Sequence, residues 1–277
     1  MSFVLGGVVS VQLGAALATT LFDDLGAGGA VLLRVGFAAA ILLVAWRPAV
    51  RGLSGTQWRH AVAFGIVLAG MNWAFYGALE RIPLGIAVTL EFVGPLGVAV
   101  AASRRALDVV WVLLAATGIV LLAPVPAGSV DALGAALALL AGVFWGAYIL
   151  LSVRVGRAFA GGDGLALAMA VAALVLIPAG LIEGGPALAE PALLAVALAV
   201  ALLSSAIPYS LELEALRRLS QGVFGVLMSL EPAVAATIGF AILGQALDAV
   251  EVVAVGLVVA ASAGALSTPP ATATAEA

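Results

Sequence analysis

No cysteine occurs anywhere in this chain, which excludes disulfides and thiolate chemistry but does not place its compartment. Lysine is also absent, so all eleven cations are arginine, a choice that reads as base composition rather than mechanism. There is one histidine, His60, which cannot build a metal site alone. Charged residues make up only 9% of the 277 positions, far below the roughly one quarter of a soluble domain. Such a chain cannot cover a surface with charge in water. A net charge of −4 and the lack of any basic run also argue against nucleic acid as a partner. Zinc-binding H-E-x-x-H, nucleophile-elbow and phosphate-loop patterns are missing, so no enzyme, no cofactor, no metal and no ATP-driven step is expected.

Apolar sequence fills the space left by these absences. Hydrophobic residues make up 64% of the chain, and they fall in runs whose natural solvent is lipid. A spanning helix needs about 20 mainly apolar residues. Cutting at charges, Pro and Gly gives ten such segments, near 3–21, 26–45, 60–79, 84–102, 108–124, 132–152, 164–182, 191–210, 221–243 and 247–266. The first has no basic region before it and is expected to be a retained helix rather than a cleaved signal. The Pro/Thr/Ala-rich stretch 267–277 is expected to be a disordered tail. The expected class is therefore an all-α integral membrane protein of ten transmembrane helices.

Arginine placement tests that count. With the N-terminus inside, the even loops hold Arg47, Arg51, Arg59, Arg104, Arg105, Arg154, Arg157, Arg217 and Arg218, all on one side. The odd loops hold Asp23, Asp24, Glu183, Glu190 and Asp248, with Arg81 the only cation there. Arginine excess marks the cytoplasmic side, which predicts both termini in the cytoplasm.

Internal similarity then divides the chain. Leu90-Glu91 and Ala106-Leu107-Asp108 match Leu230-Glu231 and Ala246-Leu247-Asp248 at a constant offset of 140 residues. Ala78-Leu79-Glu80-Arg81 resembles Ala215-Leu216-Arg217-Arg218. These similarities predict a five-helix repeat over 1–125 and a second over 126–266. Five is odd, so the second copy inserts upside down, an architecture of secondary transporters whose site lies near the midplane. Chance matching of Ala-rich helices is the competing explanation, and the Glu and Asp in register weigh against it.

Ionisable groups at membrane depth are costly and mark function by default. Arg34, Glu91 and Glu231 lie well inside expected spans, and the two Glu are the repeated pair. Two roles are open for them: holding the ammonium of an amino acid, or carrying a proton that couples export to proton entry. A structural role is also open, as a protonated Glu or a Glu–Arg pair joining helices. Pro95 follows Glu91 and Pro232 follows Glu231, while Pro208 sits in the eighth span; each removes a backbone donor and predicts a helix break beside a pathway or an ordinary kink. Asn72, Tyr76, Trp145, Tyr148, Tyr209 and Gln12 suit a mostly apolar pocket with a few placed hydrogen bonds, or else helix bridges and an interfacial aromatic belt. Glu212 is a further pocket candidate whose alternative is pairing with Arg217 or Arg218. Gly142 and Gly146 are spaced for close helix packing.

These stretches also carry a resemblance. SVQLGAALA (Ser10 to Ala18), GMNW and FY (Gly70 to Tyr76), PLGIAVTLEFVGPL (Pro83 to Leu96), SRR (Ser103 to Arg105), PYSLE (Pro208 to Glu212) and FGVLMSLEPA (Phe224 to Ala233) resemble the EamA-type branch of the drug/metabolite transporter superfamily. The resemblance implies ten helices in two inverted repeats and efflux of amino acids and related metabolites, with Glu91 and Glu231 in the two Glu–Pro-rich helices. One departure is Gly244-Gln245, where members often have Gly-Glu. The expected activity is secondary, proton-coupled export of a small threonine- or homoserine-like amino acid by alternating access. Export of another metabolite or a drug-like amphiphile stands second, and a non-transporting membrane scaffold third.

Overall fold

A computed structural model describes residues 2–82, 84–103, 105–122, 131–231, 234 and 249–267. Among them every regular element is helical. In chain order these are α1 (Ser2–Ala18), α2 (Phe22–Trp46), α3 (Gly55–Leu79), α4 (Leu84–Glu91), α5 (Val93–Ala102), α6 (Ala106–Leu122), α7 (Ala132–Ala158), α8 (Asp163–Gly184), α9 (Pro191–Ala201), α10 (Ile207–Arg218), α11 (Gln221–Met228) and α12 (Ala249–Ser267). Five stretches are long and apolar enough to cross a bilayer: Phe22–Trp46, Gly55–Leu79, Ala132–Ala158, Asp163–Ala189 and Pro191–Arg218. Shorter apolar helices cover Ile86–Ala102, Ala106–Leu121 and Val252–Ala265. Pro232, Gly244, Gln245 and Arg104 lie outside the described residues, as does the tail beyond Ser267.

Several helices run past the boundaries that charge suggests. Helix α3 begins at Gly55 rather than 60, because Ser54 caps it. The Ser54 hydroxyl accepts from the Gln57 N–H, and the Gln57 side chain accepts from the Ser54 N–H. Arg59 is thus helical, as are Arg154 and Arg157 on the last turns of α7 and Arg217 and Arg218 at the end of α10. A charged side chain stops a helix being buried in lipid but does not break its backbone hydrogen bonds. Helix α2 starts at Phe22, with a kink at Gly26 (φ 63°, ψ 175°). The left-handed φ there is open to glycine, and the Glu183 carboxylate accepts the N–H of Gly28 just beyond the kink.

Two helices are interrupted at depth. Phe92 separates α4 from α5. Pro95 cannot donate to the carbonyl of Glu91 four residues back, so the break falls where that bond is missing. Between α9 and α10, Leu202–Ala206 form a π-turn, with the Ile207 N–H reaching back to Leu202 O, immediately before Pro208.

Packing follows a regular scheme. Helix α2 lies against α8, α6 against α12, and α5 against α11; α3 lies against α7, and α1 against α10. Lipid cannot drive helices together by hydrophobicity, so close backbone approach has to do it. The Cα of Gly65 faces Ala168 O, and the Cα of Gly225 faces Pro95 O. Gly142 and Gly94 bring α7 against the broken α4–α5 segment, with Gly142 set against the Glu91 carbonyl. Outward faces carry large apolar residues, such as Ile182 at 83% exposure and Val44 at 69%. In water such exposure would be costly over so wide a surface.

Candidate functional site

The interior polar residues converge because each sits on the buried stripe of its helix. On α2, Val31, Arg34, Val35 and Ala38 recur at helical spacing and all are buried. On α3, Leu68, Asn72 and Tyr76 lie four residues apart on one inward face. Helix α7 adds Trp145 and Tyr148, three residues apart, and α10 adds Tyr209 and Glu212 at the same spacing. Glu91 ends α4, and Glu231 lies just beyond α11.

These helices enclose a cavity of about 120 Å³. Arg34, Asn72, Glu91, Trp145, Tyr209, Glu212 and Glu231 all line it, with Ser204 beside them. One guanidinium therefore shares a small chamber with three carboxyl groups. Arg34 donates from Nη1 to the Tyr76 hydroxyl at 3.0 Å, and its guanidinium carbon lies 5.0 Å from the centre of the Tyr76 ring. Its Nε has no partner among the described residues, and no carboxylate there lies within ion-pair distance of Arg34. Arg34 is thus a buried cation with donor capacity to spare.

Tyr209 lines the chamber, and Tyr148 packs behind it without reaching the cavity. The Tyr148 hydroxyl donates to Glu212 Oε2 at 2.8 Å. Tyr209 faces Asn72 at 3.4 Å, while Asn72 Nδ2 also donates to Leu68 O at 2.7 Å. Aromatic contacts fix these rings: Tyr148 lies 5.3 Å from Phe64 and 5.7 Å from Tyr209, and Phe92 meets Trp145 edge-on at 5.0 Å. Glu212 is 4% exposed and turned inward. It does not pair with Arg217 or Arg218; Glu214 holds both of them. The extended α10 explains this. Glu212 and Glu214 lie about 200° apart around a helix, so one faces the chamber and the other the arginine-bearing end.

Leaving a buried polar group without its hydrogen-bond partner costs about 1–3 kcal/mol. Tyr148→Phe is therefore expected to lower the melting temperature of the detergent-purified protein by several degrees, since it leaves Glu212 without its donor. Tyr148→Phe with Glu212→Leu is expected to recover part of that loss, because both halves of the bond then go. Equal melting of Tyr148→Phe and the parent would show that the bond carries nothing.

Tyr76 does not line that chamber but borders a second cavity, of about 200 Å³, lined by Glu80, Arg81, Glu183 and the half-exposed Trp73. The Arg34–Tyr76 bond thus stands between two cavities. The Gln12 side chain and Pro232 fall outside the described residues. Val88 and Met228, which line the chamber three residues before Glu91 and Glu231, were not legible as site residues. Their repeated spacing is the one signal that could have found them.

Residues 132–267 match the model of the EamA-like transporter family. The threonine/homoserine exporter RhtA of Escherichia coli (strain K12) is 43% identical over 94% of this chain and 89% of its own length. RhtA of Salmonella typhimurium (strain LT2) is likewise 43% identical, over 92% and 87%. The chain belongs to the EamA-like transporter family. It is accordingly a multi-pass membrane protein. A solved crystal structure shares the fold, with a TM-score of 0.77 over 95% of this chain and 96% of that one at 20% identity. Within this EamA-like chain, the stretch that matches the family model holds Trp145, Tyr148, Ser204, Tyr209, Glu212 and Glu231, while Arg34, Asn72, Tyr76 and Glu91 come from the preceding half.

Proposed function

We propose that the protein exports a small zwitterionic amino acid of the threonine or homoserine kind across the bacterial inner membrane. One observation carries this reading: Arg34 and the carboxyls of Glu91, Glu212 and Glu231 line a single chamber of about 120 Å³. An amino acid presents a carboxylate and an ammonium. Arg34, with an unused donor, suits the first and the acidic residues suit the second. Size supports the same reading. At roughly 30 Å³ per water the chamber holds about four waters, whereas pockets for drug-sized ligands run to about 300–1,000 Å³. The curated relatives are named as threonine/homoserine exporters, which agrees.

The mechanism proposed is alternating access between two inverted five-helix halves, 1–125 and 126–266, forming ten spans with both termini cytoplasmic. The pairing of α2 with α8, α5 with α11 and α6 with α12 is what exchange of two equivalent halves would produce. So is the pairing of α3 with α7 beside that of α1 with α10. Both members of the repeated pair, Glu91 and Glu231, meet in the chamber. Ammonium and proton compete for the same carboxylates there, and that competition would couple outward movement of substrate to inward movement of protons. Arg34 receives the substrate carboxylate, Tyr76 closes the chamber towards Glu80 and Glu183, and Trp145 and Tyr209 shape the walls.

Everted vesicles containing the protein should take up labelled threonine, with accumulation rising several-fold when a proton gradient is imposed. Uptake of threonine and homoserine no greater than in vesicles lacking the protein would end this reading.

A further inference from the structure

A larger cleft, about 1290 Å³, lies outside the central chamber, on the other side of the broken helix. Its floor is α5 and α7, where Gly97 is exposed while Gly94, Gly142 and Gly146 are buried in the contact between the two helices. Val143 at its edge is 66% exposed, so the cleft opens sideways onto the apolar outer surface of the helices. At its polar end stand Arg154, Arg157, Arg217 and Arg218. Arg217 and Arg218 are braced by Glu214. Arg154 and Arg157 are exposed and have no hydrogen-bond or ion-pair partner among the described residues. Four cations thus face one carboxylate, and two of the cations are unspent.

We propose that this cleft binds one anionic glycerophospholipid, its phosphate held by Arg154 and Arg157 and an acyl chain lying along that floor. Dimensions agree with this assignment. From Gly142 to Arg154 is twelve residues, about 18 Å of helix at 1.5 Å each, against about 15 Å for half of a bilayer's hydrocarbon core. A basic rim over an apolar slot between transmembrane helices is the chemistry that takes acidic lipid headgroups. A free amino acid satisfies only the rim, since it has nothing to fill a slot of this length. The bound chain would lie over the contact in which Gly142 is set against the Glu91 carbonyl and Gly94 against the Gly142 carbonyl. Lipid would therefore brace the break that positions Glu91.

Native mass spectrometry of the full chain in detergent tests this without any transport assay, so its outcome is independent of the substrate reading. The probes are phosphatidylglycerol and phosphatidylcholine with identical acyl chains. The parent is expected to retain one phosphatidylglycerol with about tenfold preference. Arg154→Gln with Arg157→Gln should erase the preference, while Arg59→Gln, on α3, should keep it. Gly97→Trp provides the second variant. A Cβ at Gly97 meets nothing within 4 Å, so the indole enters the cleft without displacing backbone. It should cut phosphatidylglycerol retention at least fivefold with an unchanged melting temperature. Equal retention of the two lipids by the parent overturns the proposal, as does a preference that survives the arginine changes or Gly97→Trp. Displacement of the lipid by millimolar threonine would mark the cleft as a substrate vestibule and also overturn it.

Discussion

Arg34→Ala is expected to reduce threonine export about 100-fold with the protein still folded and inserted. Arg34 is 9% exposed, shares its chamber with three carboxyls, and donates to Tyr76 with Nη1 while Nε remains unused. Losing one partner of a desolvated charge pair costs about 2–5 kcal/mol, and 2.8 kcal/mol is roughly 100-fold in affinity. The measurement is the concentration dependence of threonine uptake in everted vesicles, normalised to protein amount. The loss should appear mainly as a raised half-saturation concentration. Arg34→Lys keeps the charge but replaces a planar fork with a single ammonium. It cannot bond Tyr76 and a carboxylate in the same plane, so it is expected to lose at least tenfold as well. Unaltered uptake by Arg34→Ala would remove the guanidinium from the substrate site.

Gly94→Ala is expected to give little or no folded protein. The added methyl would run into the Gly142 carbonyl oxygen and lie 3.0 Å from the Gly146 nitrogen. Both obstacles are backbone, so no side chain can swing aside. Overpacking a tight core commonly costs 1–3 kcal/mol or more, and the upper end applies where two main chains already touch. Gly97→Ala, three residues on in the same helix, meets nothing and should behave as the parent. The comparison is made by monodispersity on size exclusion and by melting temperature. A monodisperse Gly94→Ala with parental melting would show that α5 and α7 can separate without loss.

The contrast between these glycines also shows what could be read in advance. Helix content and the convergence of Arg34, Asn72, Glu91, Tyr209 and Glu231 were legible because charge and amide groups at membrane depth have few places to go. They turn inward, and five helices turning inward meet. Glu212 was ambiguous by composition alone, since Arg217 and Arg218 lie within two turns of it. Only the true extent of α10 shows Glu214 taking both cations. Glu183 read as a loop acid, yet it tethers the kinked start of α2, because the left-handed turn at Gly26 exposes a backbone donor that no sequence period announces. The cleft beyond α5 was invisible for a related reason: glycines that close one helix against another carry no side chain to signal what lies beside the contact.

The π-turn at Leu202–Ala206 inserts one residue into the winding of the apolar stretch Pro191–Arg218. Each residue of an α-helix advances the phase by about 100°, so every side chain after the turn is rotated by that angle from where an unbroken helix would aim it. Tyr209 and Glu212 owe their bearing to that single surplus unit. Shortening the segment by one residue would restore a tidy spiral and swing both groups off the chamber, while composition and hydrophobicity stayed almost the same.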